Sequence, residues 1–242
     1  MTASSPVVEE AHHLLVAANR VLDNEQVLDA FGHVSLRHPE HEDRFLLSVG
    51  KAPALVEAGD IVEFDMDGEP VMPTDRRLYS ERVMHSSIYR RRPDVSAIVH
   101  HHAAAIMPYC ITDVVLEPVN QLGGTLGDAV PVWDSAEAIG DTNLLITSAA
   151  DADSAADALG PHWTLLLKRH GAIVVGRSLK EMVFRAVYGC DTARSLWMAR
   201  LGATVTPLTL GERRLTAELR DGPIDRCWDY WTARLPRADL AS

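Results

Sequence analysis

The run Val95-Ser-Ala-Ile-Val-His100-His101-His102-Ala103 constrains this chain most. It starts apolar and β-branched and ends in three consecutive histidines. As a strand it sends alternate side chains to opposite faces, so His100 and His102 share one face and His101 takes the other. Two imidazoles at i, i+2 on the end of a rigid strand are half of a metal site. A chain organised around them needs a sheet to hold the strand, a third ligand from elsewhere and a group that moves protons.

The segments around the run supply a sheet. Val34 and Leu36 alternate with Ser35 and Arg37, which predicts a strand from Gly32 to Arg37. Further strands are expected over 44–48 and 60–65, with Asp67-Gly68 turning into a short one near 70–72. Short links between strands imply an antiparallel meander. Strands are also expected near 114–119 and 130–133, and as two segments over 164–176 joined at His170-Gly171. Helices are predicted over 7–23, from a Ser80 cap to Arg92, over 103–109 and 151–159, and from Ser178 to about Arg200. The glycine-rich 121–127 stretch lacks the Lys-Ser/Thr of a phosphate-binding loop and reads as a plain loop. One domain is expected over 1–242, with a loose tail over 1–6 and a C-terminal helical segment over 205–242. In that segment, Trp228 to Trp231 are either a lid or packing residues.

Charge and cysteine usage narrow the partners. A net charge of -11 disfavours a nucleic-acid backbone as ligand. No run is long enough to span a membrane, and no signal peptide is recognisable. The three cysteines, Cys110, Cys190 and Cys227, are far apart and outside any C-x-x-C arrangement. They read as reduced thiols of a cytoplasmic protein.

His170, followed by Gly171 between two apolar runs, is the candidate third ligand beside His100 and His102. Three neutral imidazoles with open positions suit Zn²⁺, or Mn²⁺, Fe²⁺ or Co²⁺ if the site expands. The competing reading is three hydrogen-bonded core or surface histidines. Glu81 either favours a helix dipole or transfers protons near the metal. His85, one turn later, packs or hydrogen-bonds behind the site.

The set Gly32-His-Val-Ser35, Ser80-Glu81-x-x-x-His85, Val99-His100-x-His102 and His170-Gly171 resembles the class II aldolase/adducin family, from about residue 10 to 200. The resemblance implies an α/β fold: one three-layer α/β/α sandwich with a mixed, mainly antiparallel sheet. It also implies His100, His102 and His170 as metal ligands, Glu81 as acid/base, and a homotetramer with sites at subunit interfaces. Sugar-phosphate aldolases of the family usually carry Gly-Asn-x-Ser where this chain has Gly32-His33-Val-Ser35. Histidine there resembles a branch that includes decarboxylases of hydroxylated aromatic or pyridine carboxylates.

The expected function is therefore a divalent-metal-dependent carbon–carbon lyase acting on a small anionic substrate, a decarboxylase of a hydroxylated aromatic or heteroaromatic carboxylate. Glu81 or His33 would deliver the proton after CO₂ leaves. Ser35, Ser48 and Lys51 would bind a second carboxylate, or are plain strand and loop residues. The alternatives are a class II aldolase or epimerase of a sugar phosphate or hydroxy-keto acid, and a non-catalytic adducin-like scaffold.

Overall fold

The computed structural model describes residues 5–236. Seven strands form one sheet: β1 His33–Arg37, β2 Arg44–Ser48, β3 Ile61–Asp65, β4 Ala97–His101, β5 Val132–Trp133, β6 Thr164–Leu167 and β7 Gly171–Gly176. Their spatial order is β3-β2-β1-β4-β7-β6-β5. Every pairing is antiparallel except β5 with β6. The sheet is open, mixed and mainly antiparallel, as expected.

Strand alternation sorts the core into two apolar layers. Val34, Leu46, Val99, Leu166, Ala172 and Val174 face helices α1 (Pro6–Asn24), α6 (Leu179–Arg200) and α8 (Asp221–Ala233). Phe45, Leu47, Ile98, Leu165, Ile173 and Val175 face α2 (Arg82–Arg91) and α5 (Ala149–Leu159). The result is a three-layer α/β/α sandwich. Three shorter helices are α3 (Met107–Ile111), α4 (Ser135–Ala138) and α7 (Leu210–Ala217).

Several sequence expectations need correction. Helix α1 starts at Pro6, because Ser5 accepts a hydrogen bond from the Val8 N–H and proline suits the first helical position. Of the loose tail expected over 1–6, residues 1–4 lie outside the described residues, as do 237–242 of the C-terminal segment. Residues 114–119 are not a strand: Pro118 brings no N–H donor, and Val115 is exposed. The strand near 70–72 is a single bridge between Phe64 and Pro70. The 121–127 stretch contains a 3-10 helix over Leu122–Leu126. Helix α2 has Glu81, not Ser80, at its N-cap position, with no side-chain cap bond. Trp228 and Trp231 are buried in the layer that packs on α6, so they are core and not a lid.

Candidate metal centre

Sheet register builds the centre. His100 near the end of β4 is paired with His33 at the start of β1 and with Ile173 of β7. His100 faces the α2 layer, alongside Ile98. His102 lies just past β4, and His170 lies in the turn that leads into β7. Gly171 allows the turn to close: a Cβ there would run into the His101 carbonyl oxygen and the His102 ring. The ring centroids of His100 and His102 are 4.6 Å apart, those of His100 and His170 4.8 Å, and those of His102 and His170 5.0 Å. One ring nitrogen from each lies within 4.8 Å of the other two.

The tautomers fit a cation. His100 Nδ1 is 3.0 Å from the Ala172 carbonyl oxygen, which only accepts, so Nδ1 carries the hydrogen. Its Nε2 then presents a lone pair, and that buried atom has no hydrogen-bond partner among the described residues. His170 Nε2 lies 3.9 Å from Glu81 Oε1, on the side where the carboxyl group closes the cluster. Leaving a buried polar atom unpaired costs roughly 1–3 kcal/mol, which a bound cation would offset. Burial holds His100 well below the ordinary imidazole range, lowers His102, and brings His170 down to about 4. Neutral imidazoles are the form that binds metal. The donor set therefore fits the divalent ion that the resemblance implies.

Glu81 closes the group. Its Oε1 accepts the Ile146 N–H at 3.0 Å, and its Oε2 lies 3.8 Å from His100 Nε2. Burial pushes its pKa up to about 7, against a smaller lowering by the Ile146 hydrogen bond. Ile146 comes from the loop before α5, where Leu144 adopts a left-handed φ of 70°. His101, on the opposite face of β4, is fully buried, and its Nδ1 accepts the Ala103 N–H.

Behind the centre runs a buried row of hydrogen bonds. His33 Nδ1 is 2.6 Å from His85 Nε2, and His85 Nδ1 is 2.6 Å from Ser35 Oγ. Ser35 Oγ is 2.8 Å from the Tyr89 hydroxyl, which donates to the Ser96 carbonyl at 3.4 Å. Burial places the His33 pKa well below its ordinary value and that of His85 at about 3.

A cavity of ≈ 630 Å³ opens onto the centre. Phe31, His33, Lys51, Arg77, Tyr79 and Glu81 line it together with the three histidines. Ser35 and Ser48 do not line it. Ser35 is buried and spent on His85 and Tyr89, and Ser48 is buried at the end of β2. Both side chains, expected as substrate contacts, thus sit buried and away from the cavity lining. Lys51 does line the cavity, but its Nζ is 2.7 Å from Asp60 Oδ2, and Asp60 also pairs with Arg76. Much of its charge is therefore answered within the protein.

Sequence reasoning missed Arg77, Tyr79, Tyr89 and the Ile146 N–H. Arg77 is an exposed cation on the cavity wall whose side chain has no ionic partner among the described residues. Tyr89 follows His85 by one helical turn, a spacing that could have revealed it. Nothing local in the sequence marks Ile146.

The comparisons with known proteins bear on this geometry. Residues 13–197 match the family described as Class II Aldolase and Adducin N-terminal domain. The chain belongs to the class II aldolase/adducin family. Decarboxylase tropJ of Talaromyces stipitatus is 33% identical, over 99% of this chain and 97% of that one. The 3,4-dihydroxyphthalate decarboxylase of Terrabacter sp. is 27% identical, over 92% of this chain and 95% of that one. In fold, the chain is similar to L-fuculose 1-phosphate aldolase from Glaciozyma antarctica, with a TM-score of 0.79 at 20% identity over 96% of this chain and 91% of that one. The fold is thus of the class II aldolase type, and the full-length relatives named here are decarboxylases. Among the described residues, no helix is long and apolar enough to cross a membrane. Cys110, Cys190 and Cys227 are all free thiols.

Proposed function

We propose that the chain is a divalent-metal-dependent carbon–carbon lyase that decarboxylates a hydroxylated aromatic or heteroaromatic carboxylate. One observation carries the reading: three neutral imidazoles converge beside a buried carboxyl group at the floor of a cavity. The decarboxylase names of the full-length relatives favour loss of CO₂ over aldol cleavage. The wall supports an aromatic substrate, since Phe31 and Tyr79 line it and Lys51 is occupied by Asp60.

His100, His102 and His170 hold the ion, and Glu81 stands next to them. When bound, a divalent cation draws electron density from a substrate oxygen and favours the negative charge that builds as the carbon–carbon bond breaks. The cavity walls orient the ring beside Glu81. The bond to the carboxylate carbon breaks, CO₂ departs, and the electron pair stays on the ring carbon. Glu81 holds its proton on Oε2, because Oε1 is occupied by the Ile146 N–H. That proton passes to the ring carbon, and solvent reprotonates Glu81. Arg77 is placed to bind a further anionic substituent at the mouth. A homotetramer belongs to the same proposal, and sedimentation checks it.

The test is incubation of metal-loaded protein with hydroxybenzoate, dihydroxyphthalate and hydroxypyridine carboxylates, with CO₂ release and ring product measured together. Equal amounts of both are expected. Cleavage of a sugar phosphate or hydroxy-keto acid without CO₂ would reverse the reading to an aldolase. Protein that binds no divalent metal and turns over neither class would favour the adducin-like scaffold.

A further inference from the structure

His33 belongs to a second set of ligand atoms. One ring nitrogen of His33, one carboxylate oxygen of Glu81 and one ring nitrogen of His100 lie within 4.8 Å of one another. His33 Nδ1 is engaged by His85, which leaves Nε2 to face the centre. That Nε2 is buried and has no hydrogen-bond partner among the described residues. His100 is common to both sets, so His33 adjoins the triad instead of forming a remote site.

The hydrogen-bonded row decides what Nε2 presents. Neutral His33 and His85 each bring one ring hydrogen, and Ser35 and Tyr89 each bring one hydroxyl hydrogen. Five places can take these four hydrogens. Three are the contacts within the row, one is the Ser96 carbonyl, and one is the cavity side of His33 Nε2. An inner contact without a hydrogen would set two lone pairs against each other at 2.6–2.8 Å. The vacancy therefore falls at one end of the row.

If it falls at Ser96, His33 points an N–H into the centre with nothing there to accept it. If it falls at the cavity, every hydrogen in the row points toward Ser96 and Nε2 presents a lone pair. Ser96 can take the last hydrogen, since its carbonyl has two lone pairs and the Arg37 N–H uses one. A cation beside His100 selects the second state. The change moves hydrogens along the row and alters no net charge.

We propose that His33 is a fourth imidazole ligand of the metal centre, its lone pair aimed there by the row His85, Ser35 and Tyr89. The inference rests on the metal-centre reading above and goes beyond it by adding a ligand and the buried residues that set its tautomer.

The probe is Co²⁺ bound to the full chain. Each imidazole on Co²⁺ keeps one ring N–H, which gives one exchangeable, strongly shifted proton resonance. Four such resonances are expected from the wild-type protein and three from His33→Asn, with Co²⁺ bound about tenfold more weakly or worse. The wild-type count stands even where His33→Asn does not fold. Tyr89→Phe removes the hydroxyl that ends the row and touches none of the ligands. It should weaken Co²⁺ binding a few-fold, and unchanged affinity would overturn the role of the row. Three resonances from the wild type, with affinity and visible spectrum unchanged in His33→Asn, would overturn the fourth ligand and leave the triad standing. Wild-type protein that binds no Co²⁺ would overturn both.

Discussion

Helix α2 carries Glu81 and His85 at its N-terminal end and Arg90, Arg91 and Arg92 at its C-terminal end, and the two ends treat charge differently. At the first end the groups are buried: Glu81 is 8% exposed and His85 fully enclosed. Burial disfavours their charged forms, and their neighbours include ring nitrogens with no partner. At the second end Arg90 and Arg91 reach Asp153, Arg91 also reaches Asp157, and Arg92 grips Asp94 and the carbonyls of Gly160 and His162. Cations there also complement the helix dipole. The first end holds open bonding capacity out of water, which costs stability and serves ligands. The second closes its capacity within the protein and joins α2 to α5. Polar groups mark chemistry where they are buried and unsatisfied, and architecture where they are paired and wet.

Removing a ligand tests the open end most severely. His170→Ala should abolish tight divalent-metal binding and lower turnover by on the order of a thousandfold or more. The ring lines the cavity, so its loss enlarges an existing space instead of opening a new void. The metal-free variant should melt within a few degrees of the metal-free wild type. A large loss of stability with metal binding intact would make this end architectural, like the other.

Glu81→Gln comes next. The amide oxygen can still accept the Ile146 N–H, but no acidic proton remains. Decarboxylation should fall by about 10²–10⁴-fold with metal affinity changed far less. Steady-state rates and a metal titration separate the two effects.

His100, His102 and His170 were legible as a cluster because strand alternation and a His-Gly step are local patterns, whereas alternation and short links gave only the antiparallel meander and the mixed sheet came from the family resemblance. Glu81 was legible through its place before the histidine strand. The surroundings of Ser48 and Lys51 were less legible, because they depend on partners beyond the loop: Ser48 is buried at the end of β2, and Lys51 lines the cavity but also meets Asp60 where β3 begins. The strand expected over 114–119 failed for a related reason. Apolar alternation specifies a face, but a strand also needs a neighbour to pair with, and Pro118 brings no N–H donor.

His101 sharpens the comparison within a single strand. It follows His100 but faces the opposite apolar layer, where its Nδ1 accepts the Ala103 N–H. His101→Ala should cost about 1–3 kcal/mol in a urea titration, from the lost packing and the unpaired N–H. Metal affinity should stay within a few-fold of wild type. Metal loss comparable to that of His170→Ala would mean that the two faces of β4 are not separate.

The smallest effect belongs to the closed end of α2. The Ser87 hydroxyl, donating at 2.6 Å, and Arg91, at 2.7 Å, hold the Asp153 carboxyl below its ordinary value of 3.8, at about 2. A depressed carboxyl pKa stabilises the fold above the unfolded value. That contribution is complete above about pH 4 and is lost as the pH falls from 4 toward 2. Arg91→Ala should reduce this acid-sensitive part of the stability. At pH 7 and low salt it should cost only about 0.2–1 kcal/mol, because the pair is partly exposed and screened. Melting temperatures from pH 7 to pH 2, at low and high salt, read both effects. Turnover should not change, since these groups make their bonds to α5 and lie outside the cavity lining. A variant that loses activity while keeping its melting temperature would couple the two ends of α2 and end the distinction between them.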